Sequence, residues 1–145
     1  MADHIDAGEL AQASANEMWS EDKAARGLGF VVSDVAPGAA TVTMTVRDDM
    51  VNGHGVCHGG FIFTLADAAF SYACNTHGTK AVAAGADIVF VKPARLGDRL
   101  EAVGVETLLY GRSGICDVVV TDQEGTTIAH FRGRSRTIGE SSPRA

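Results

Sequence analysis

The 145-residue chain is 46% hydrophobic and 21% charged, long enough for one core and too short for two. Its net charge of −6 excludes a chain-wide basic footprint for nucleic acid, and no run reaches the roughly 18 uncharged apolar residues of a membrane span. Seventeen glycines and three prolines without a low-complexity tract exclude disorder and a collagen-like fibre.

Residues 7–25, rich in Ala, Glu and Gln, predict a helix with Leu10, Met18 and Trp19 as contacts, stopped by Gly27 and Gly29. The texture then turns to short β-rich runs. A strand is expected over 30–35, a turn at Ala36-Pro37-Gly38, and a second strand over 40–47, where Val42, Met44 and Val46 alternate with Thr41, Thr43 and Thr45. Beyond a loop through Asn52 and Gly53, residues 59–75 are almost wholly apolar and bounded by glycine. Their length and their Ala, Leu and Phe content predict a helix, apolar all round and therefore buried on every side. Four strands follow, at 80–92, 98–110, 113–122 and 126–138, with turns at Pro93 and Gly97, at Gly111, and over 122–125. This order predicts an α+β fold, a curved antiparallel sheet wrapped around a central helix. A sheet that covers one face of that helix leaves it needing a two-fold partner. The expected organisation is a helical segment over 1–26, a domain over 27–139 and a loose tail over 140–145. Three cysteines without a CxxC pair, and acids rather than bases over 1–6, predict a cytoplasmic protein without a secretory signal.

Asp67 stands out for chemistry. It is the only carboxylate across 59–76, where the other ionisable side chains are the Cys74 thiol and the Tyr72 phenol, and it is set among Leu65, Ala66, Ala68 and Ala69. A desolvated carboxylate is costly and collects at active sites, although it can also merely cap a neighbouring backbone group. The loop Asn52-Gly53-His54-Gly55-Val56-Cys57-His58-Gly59-Gly60 leads into the same helix. A helix start offers free N–H groups and partial positive charge for an oxyanion, and Gly59 and Gly60 either admit a substrate carbonyl or only shape the turn. His54, Cys57 and His58 match no specific zinc spacing, and Cys57 with an adjacent histidine is a poor nucleophile pair. No metal and no cofactor are expected. Arg132, Arg134 and Arg136 share one face of the last strand; they suit phosphates, or equally they guard a sheet edge from pairing. Arg112, in a glycine turn, is a further phosphate candidate.

Asn52-Gly53-His54, Cys57-His58-Gly59-Gly60 and Leu65-Ala66-Asp67 together resemble the hotdog-fold acyl-CoA thioesterases of the phenylacetic acid degradation (PaaI) type. Ser71-Tyr72-Ala73-Cys74-Asn75, Phe90-Val91-Lys92-Pro93 and Phe131-Arg132-Gly133 extend the likeness over nearly the whole chain. The resemblance implies Asp67 as general base or nucleophile, Gly59 as the N–H that polarises the thioester carbonyl, Asn52 as the residue that positions water, and His58 as the residue ordering the loop. It places Ser71 where related thioesterases have a hydroxyl that helps place water, and Ser71 and Gly60 are expected to line the substrate. It also implies an aryl- or arylacetyl-CoA substrate, no nucleic-acid or membrane partner, and a homotetramer built as a dimer of dimers. Helix geometry adds that Gly59 and Asp67, eight residues apart, stand about 12 Å apart along one axis, so a shared site must draw them from two chains. The rival readings are a hydratase or dehydratase on the same fold, and a non-catalytic acyl-CoA-binding protein, which would lack Asp67.

Overall fold

The computed structural model describes residues 5–140. Helix α1 (Ala7–Glu21) is capped by Asp6, whose Oδ1 accepts the Glu9 N–H at 2.8 Å. The single helix expected over 7–25 is in fact two, because Asp22 interrupts it. Its backbone N–H closes α1 onto the Trp19 carbonyl, while its Oδ1 accepts from Ala25 N at 3.1 Å and so caps α2 (Lys23–Gly27). A short acidic side chain competing for backbone donors is what ends one helix and starts the next. The other Asp22 oxygen accepts the hydroxyl of buried Tyr72 at 3.0 Å, tying this corner to the central helix.

Strands β1 (Val31–Ala36) and β2 (Ala39–Thr45) form a hairpin whose turn places Gly38 at φ +74°, a left-handed value that glycine adopts freely. After a short 3-10 turn, Asp48–Met50, comes the central helix α3 (Gly59–Cys74). Then follow β3 (Thr79–Phe90), β4 (Arg99–Tyr110), β5 (Ser113–Thr121) and β6 (Thr127–Glu140). The six strands make one antiparallel sheet in the order β1-β2-β4-β5-β6-β3. In β2 the expected alternation holds for Val42 and Met44, but Thr41 and Thr43 are buried as well. The register flanks Thr41 with Ser33 and Val103, and Thr43 with Val31 and Glu101. Of the tail expected over 140–145, Glu140 closes β6, and 141–145 lie outside the described residues. Among the described residues, no helix is long and apolar enough to cross a membrane.

Helix α3 presses onto the sheet through small residues. Ala66, Ala69 and Ala73 are fully buried. Opposite them, a Cβ on Gly104 of β4 would stand 2.9 Å from the Ala69 carbonyl oxygen, and one on Gly133 of β6 only 2.6 Å from the Phe70 ring. Phe131 packs edge-on to Phe63, centroids 5.2 Å apart, and also meets Phe70. At the helix end, Thr76 is buried and fully bonded: its Oγ1 donates to the Ala73 carbonyl and accepts from Gly38 N, both within 2.9 Å. Segments α1 and α2 add Ala15 and Ala25 to the same core. The expectation that α3 is covered all round fails for a single chain. The sheet takes one side, while Gly60, Thr64, Asp67 and Ser71, three to four residues apart, form a stripe that stays open or half-open.

Candidate active site

The loop that feeds α3 is held by its own amides. Asn52 Oδ1 accepts from His54 N at 2.9 Å and Val56 N at 3.1 Å, while the Asn52 backbone N–H reaches the Val56 carbonyl at 2.9 Å. Cys57 N donates to the Ala94 carbonyl and His58 N to the Met50 carbonyl, which fixes the direction in which α3 leaves the loop. His58 is the N-cap residue, with φ −60° and ψ 137°, and its side chain makes no capping bond. The start of α3 therefore keeps free N–H groups at Gly59 and Gly60 and the positive end of the helix dipole. The two glycines differ in kind. A Cβ on Gly60 would meet nothing within 4 Å, whereas one on Gly59 would stand 2.8 Å from Phe90 Cζ.

Two turns along, Asp67 is half-buried on the open stripe of α3, and burial alone raises its pKa above the ordinary carboxylate value. Ser71 lies one turn beyond. With Asn75 it floors a cavity of about 460 Å³, walled by Glu17, Met18 and Glu21 of α1 and by Lys80 of β3. Asn75 is a clamp: its Nδ2 donates to the Ser71 and Ala81 carbonyls and its Oδ1 accepts from Ala81 N. A second cavity of about 410 Å³ opens beside Gly59, between Val56, Ile62, Phe90 and Lys92. Both Gly59 and Asp67 lie on one unbroken helix, so they stand about 12 Å apart along it within one chain.

The thiols fall out of the chemistry. Cys57 is buried, its Sγ donates to the His58 carbonyl at 3.5 Å, and burial pushes its pKa up. Cys74 and Cys116 are pushed up to about 12, by burial first and then by neighbouring negative charge. Cys57 is thus buried against the His58 backbone carbonyl rather than bonded to an imidazole, which argues against the cysteine–histidine alternative. Among the described residues, no three His, Cys, Asp or Glu side chains gather as metal ligands.

The arginines lie on the sheet face away from α3, since Gly133 and Ser135 alternate with them and are buried. Guarding a sheet edge is ruled out, because β6 is an interior strand between β5 and β3. Arg132 makes a two-pronged bond to Asp117 at 2.7 and 3.0 Å, which holds the Asp117 pKa low, and Arg134 bonds Asp87 at 2.9 Å. Arg136 makes no ion pair among the described residues. Arg112 borders a shallow hollow with Thr79, Thr137 and Glu140 at the same end of the sheet.

A six-stranded antiparallel sheet around a central helix, with an acid on its open stripe and a glycine start, matches known proteins along its length. The sequence profile of the Thioesterase superfamily matches residues 54–129, and the chain belongs to that superfamily. It is 42% identical over 126 residues to the acyl-coenzyme A thioesterase PaaI of Escherichia coli (strain K12), covering 87% of this chain and 90% of that protein. The solved structure of the E. coli PaaI protein from the phenylacetic acid degradation operon superposes with a TM-score of 0.92 at 40% identity, covering 94% of this chain and 99% of that one. The PaaI protein of Thermus thermophilus, in a mutant form, follows at a TM-score of 0.77 and 38% identity, covering 81% and 100%. A Streptococcus mutans protein bound to acetyl CoA gives 0.75 at 29%, covering 78% and 91%. Within the superfamily, the chain is a hotdog-fold enzyme of the PaaI type: an acyl-CoA thioester hydrolase.

Thr64, Asn75 and Phe90 border this site and were not among the sequence-derived candidates. The three-to-four spacing through Thr64, Asp67, Ser71 and Asn75 signals the first two. Phe90 shares a strand face with Ile88 by alternation, but nothing in the sequence ties it to Gly59.

Proposed function

We propose that this chain hydrolyses aryl- or arylacetyl-CoA thioesters with Asp67 as the general base and the Gly59 N–H as the oxyanion donor. The observation that carries the reading is the solitary, desolvated Asp67 carboxylate on the open stripe of a helix whose start no side chain caps. The carboxylate takes a proton from water, and the hydroxyl adds to the thioester carbonyl. Charge on the carbonyl oxygen is held by the Gly59 N–H. The C–S bond then breaks, and the proton on Asp67 passes to the leaving CoA sulfur. Direct attack by Asp67, forming an anhydride that water then cleaves, balances equally well. Asn52, its oxygen committed to the loop, has its amide N–H group to offer water, and His58 orders the turn beside it.

The cavity floored by Ser71 and Asn75 is the place for the acyl group, because it continues the stripe that carries Asp67. For the CoA phosphates the choice falls on Arg136 and Arg112, with Arg134 contributing once its bond to Asp87 opens.

A distance of about 12 Å within one helix supports a site shared between two chains. So does β3, a 12-residue edge strand exposing Val82, Val89 and Phe90, the kind of edge that chains cover by pairing. Two-fold pairing there sets the two α3 helices antiparallel, and two such dimers form the tetramer. Three free, buried cysteines favour a cytoplasmic setting.

A panel of acyl-CoAs with a thiol reagent tests the substrate class; arylacetyl-CoA hydrolysed no faster than short alkyl acyl-CoAs refutes it. A single turnover in oxygen-18 water tests direct attack by Asp67. Label in the enzyme carboxylate means an anhydride opened at the Asp67 carbonyl, and label only in the product acid excludes that route.

A further inference from the structure

Beyond the expected site residues, Phe90 occupies an unusual position. It closes β3, pairs with Ala129 of β6, and faces the α3 side of the sheet together with partly buried Ile88. Ile88 packs into the core, but Phe90 lies past the point where the core ends and is 50% exposed. Within one chain, half of this side chain is left uncovered by the core. Its ring is nevertheless aimed: Cζ, Cε1 and Cε2 would lie 2.8, 3.2 and 3.3 Å from a Cβ on Gly59. The tip of the ring therefore stands against the first residue of α3 and lines the 410 Å³ cavity beside it together with Val56 and Ile62.

We propose that Phe90 is a specificity-determining residue that selects thioesters with an unbranched methylene next to the carbonyl. The proposal rests on the oxyanion role given to Gly59 above. On this proposal a carbonyl oxygen bonded to the Gly59 N–H brings the carbon attached to that carbonyl past the ring edge. A CH2 is slim enough to pass. A methyl branch, or an aromatic ring bonded straight to the carbonyl, meets Phe90. The acyl class thereby narrows from aryl or arylacetyl to arylacetyl. The same contact gives Gly59 a steric reason to be glycine, separate from any need of the substrate, whereas Gly60 has open space.

The test compares kcat/KM of the wild type for phenylacetyl-CoA, benzoyl-CoA and 2-phenylpropionyl-CoA. One added methyl is worth about 10- to 200-fold where a wall is tight, so the branched substrate should be at least about tenfold slower. Phe90→Ala should bring the branched and unbranched substrates within about threefold, chiefly by speeding the branched one, with Phe90→Leu intermediate. The leucine variant keeps an apolar side chain on the strand should the alanine variant fold poorly. Gly59→Ala should lower phenylacetyl-CoA hydrolysis at least about tenfold, because its methyl pushes the ring into the approach, and Gly59→Ala combined with Phe90→Ala should recover most of that loss, because the ring no longer meets the new methyl. Equal wild-type rates for branched and unbranched substrates overturn the proposal, and so does a ratio that Phe90→Ala and Phe90→Leu leave unchanged. Asp67→Asn, assayed alongside, keeps the two readings apart. If it turns over like the wild type, the Asp67–Gly59 site itself is wrong; if it is dead while the substrate ratios stay flat, only the role of Phe90 fails.

Discussion

Two impaired variants should revive one another when their subunits are exchanged. Asp67→Asn removes the base in the middle of α3, and Gly59→Ala drives a methyl into Phe90 at its start. Within one chain these positions are about 12 Å apart, while an oxyanion donor and a base must both come within about 3–4 Å of the same reacting group. Each site of a two-fold dimer then takes one residue from each chain. In a mixed dimer, one site inherits both lesions and the other inherits neither. Random reassortment of equal amounts makes about half the dimers mixed, so total activity should recover to about one quarter of the wild-type value. Exchange by partial unfolding and refolding, or co-expression with two different tags, prepares the sample, and release of CoA thiol reads it. A mixture that stays impaired, although mass measurement finds mixed dimers, would mean that each chain holds a complete site.

Asp67→Asn should cut kcat by about two to four orders of magnitude. It should also raise the melting temperature near neutral pH, because the raised pKa means that folding disfavours the ionised carboxylate; the cost appears as pH rises from the unfolded value towards the folded one and persists above it. In the wild type, kcat/KM should fall on acidification through a pKa above the ordinary Asp value, and that limb should vanish in the variant. Arg136→Ala should raise KM with kcat nearly unchanged, more so than Arg134→Ala, and the difference should shrink in high salt. Gly104→Ala should cost about 1–3 kcal/mol or more in denaturant unfolding, since backbone stands in the way of its methyl, while Gly27→Ala, with open space, should stay within about 0.5 kcal/mol.

Much of the fold was legible because period-two runs and turn glycines are local signals. A strand begins one or two residues after each of Gly38, Gly97, Gly111 and Gly125, all at positive φ. Asp67 was legible as well, since a lone acid in an apolar stretch conflicts with its surroundings. What escaped depends on distant parts of the chain. The break at Asp22 is sealed by Tyr72, fifty residues on. That β6 lies inside the sheet and β3 at its edge follows from a crossover that no local pattern reports, and it alone decides against edge protection by the arginines. The contact of Phe90 with Gly59 is likewise a property of the closed sheet.

The seam between α3 and the sheet carries a consequence for how such an enzyme changes its substrate. Gly104 meets the Ala69 backbone and Gly133 meets the ring of buried Phe70, so the helix rests on the sheet with no room for a side chain to grow at either glycine. The helix therefore behaves as a fixed rail: its start and its acid hold their separation whatever else varies. New acyl preferences have to be written into the movable fittings around it, at the ring of Phe90 and along Glu17, Met18 and Glu21 of α1, and laboratory evolution towards other thioesters should collect its changes there before any appear on the rail.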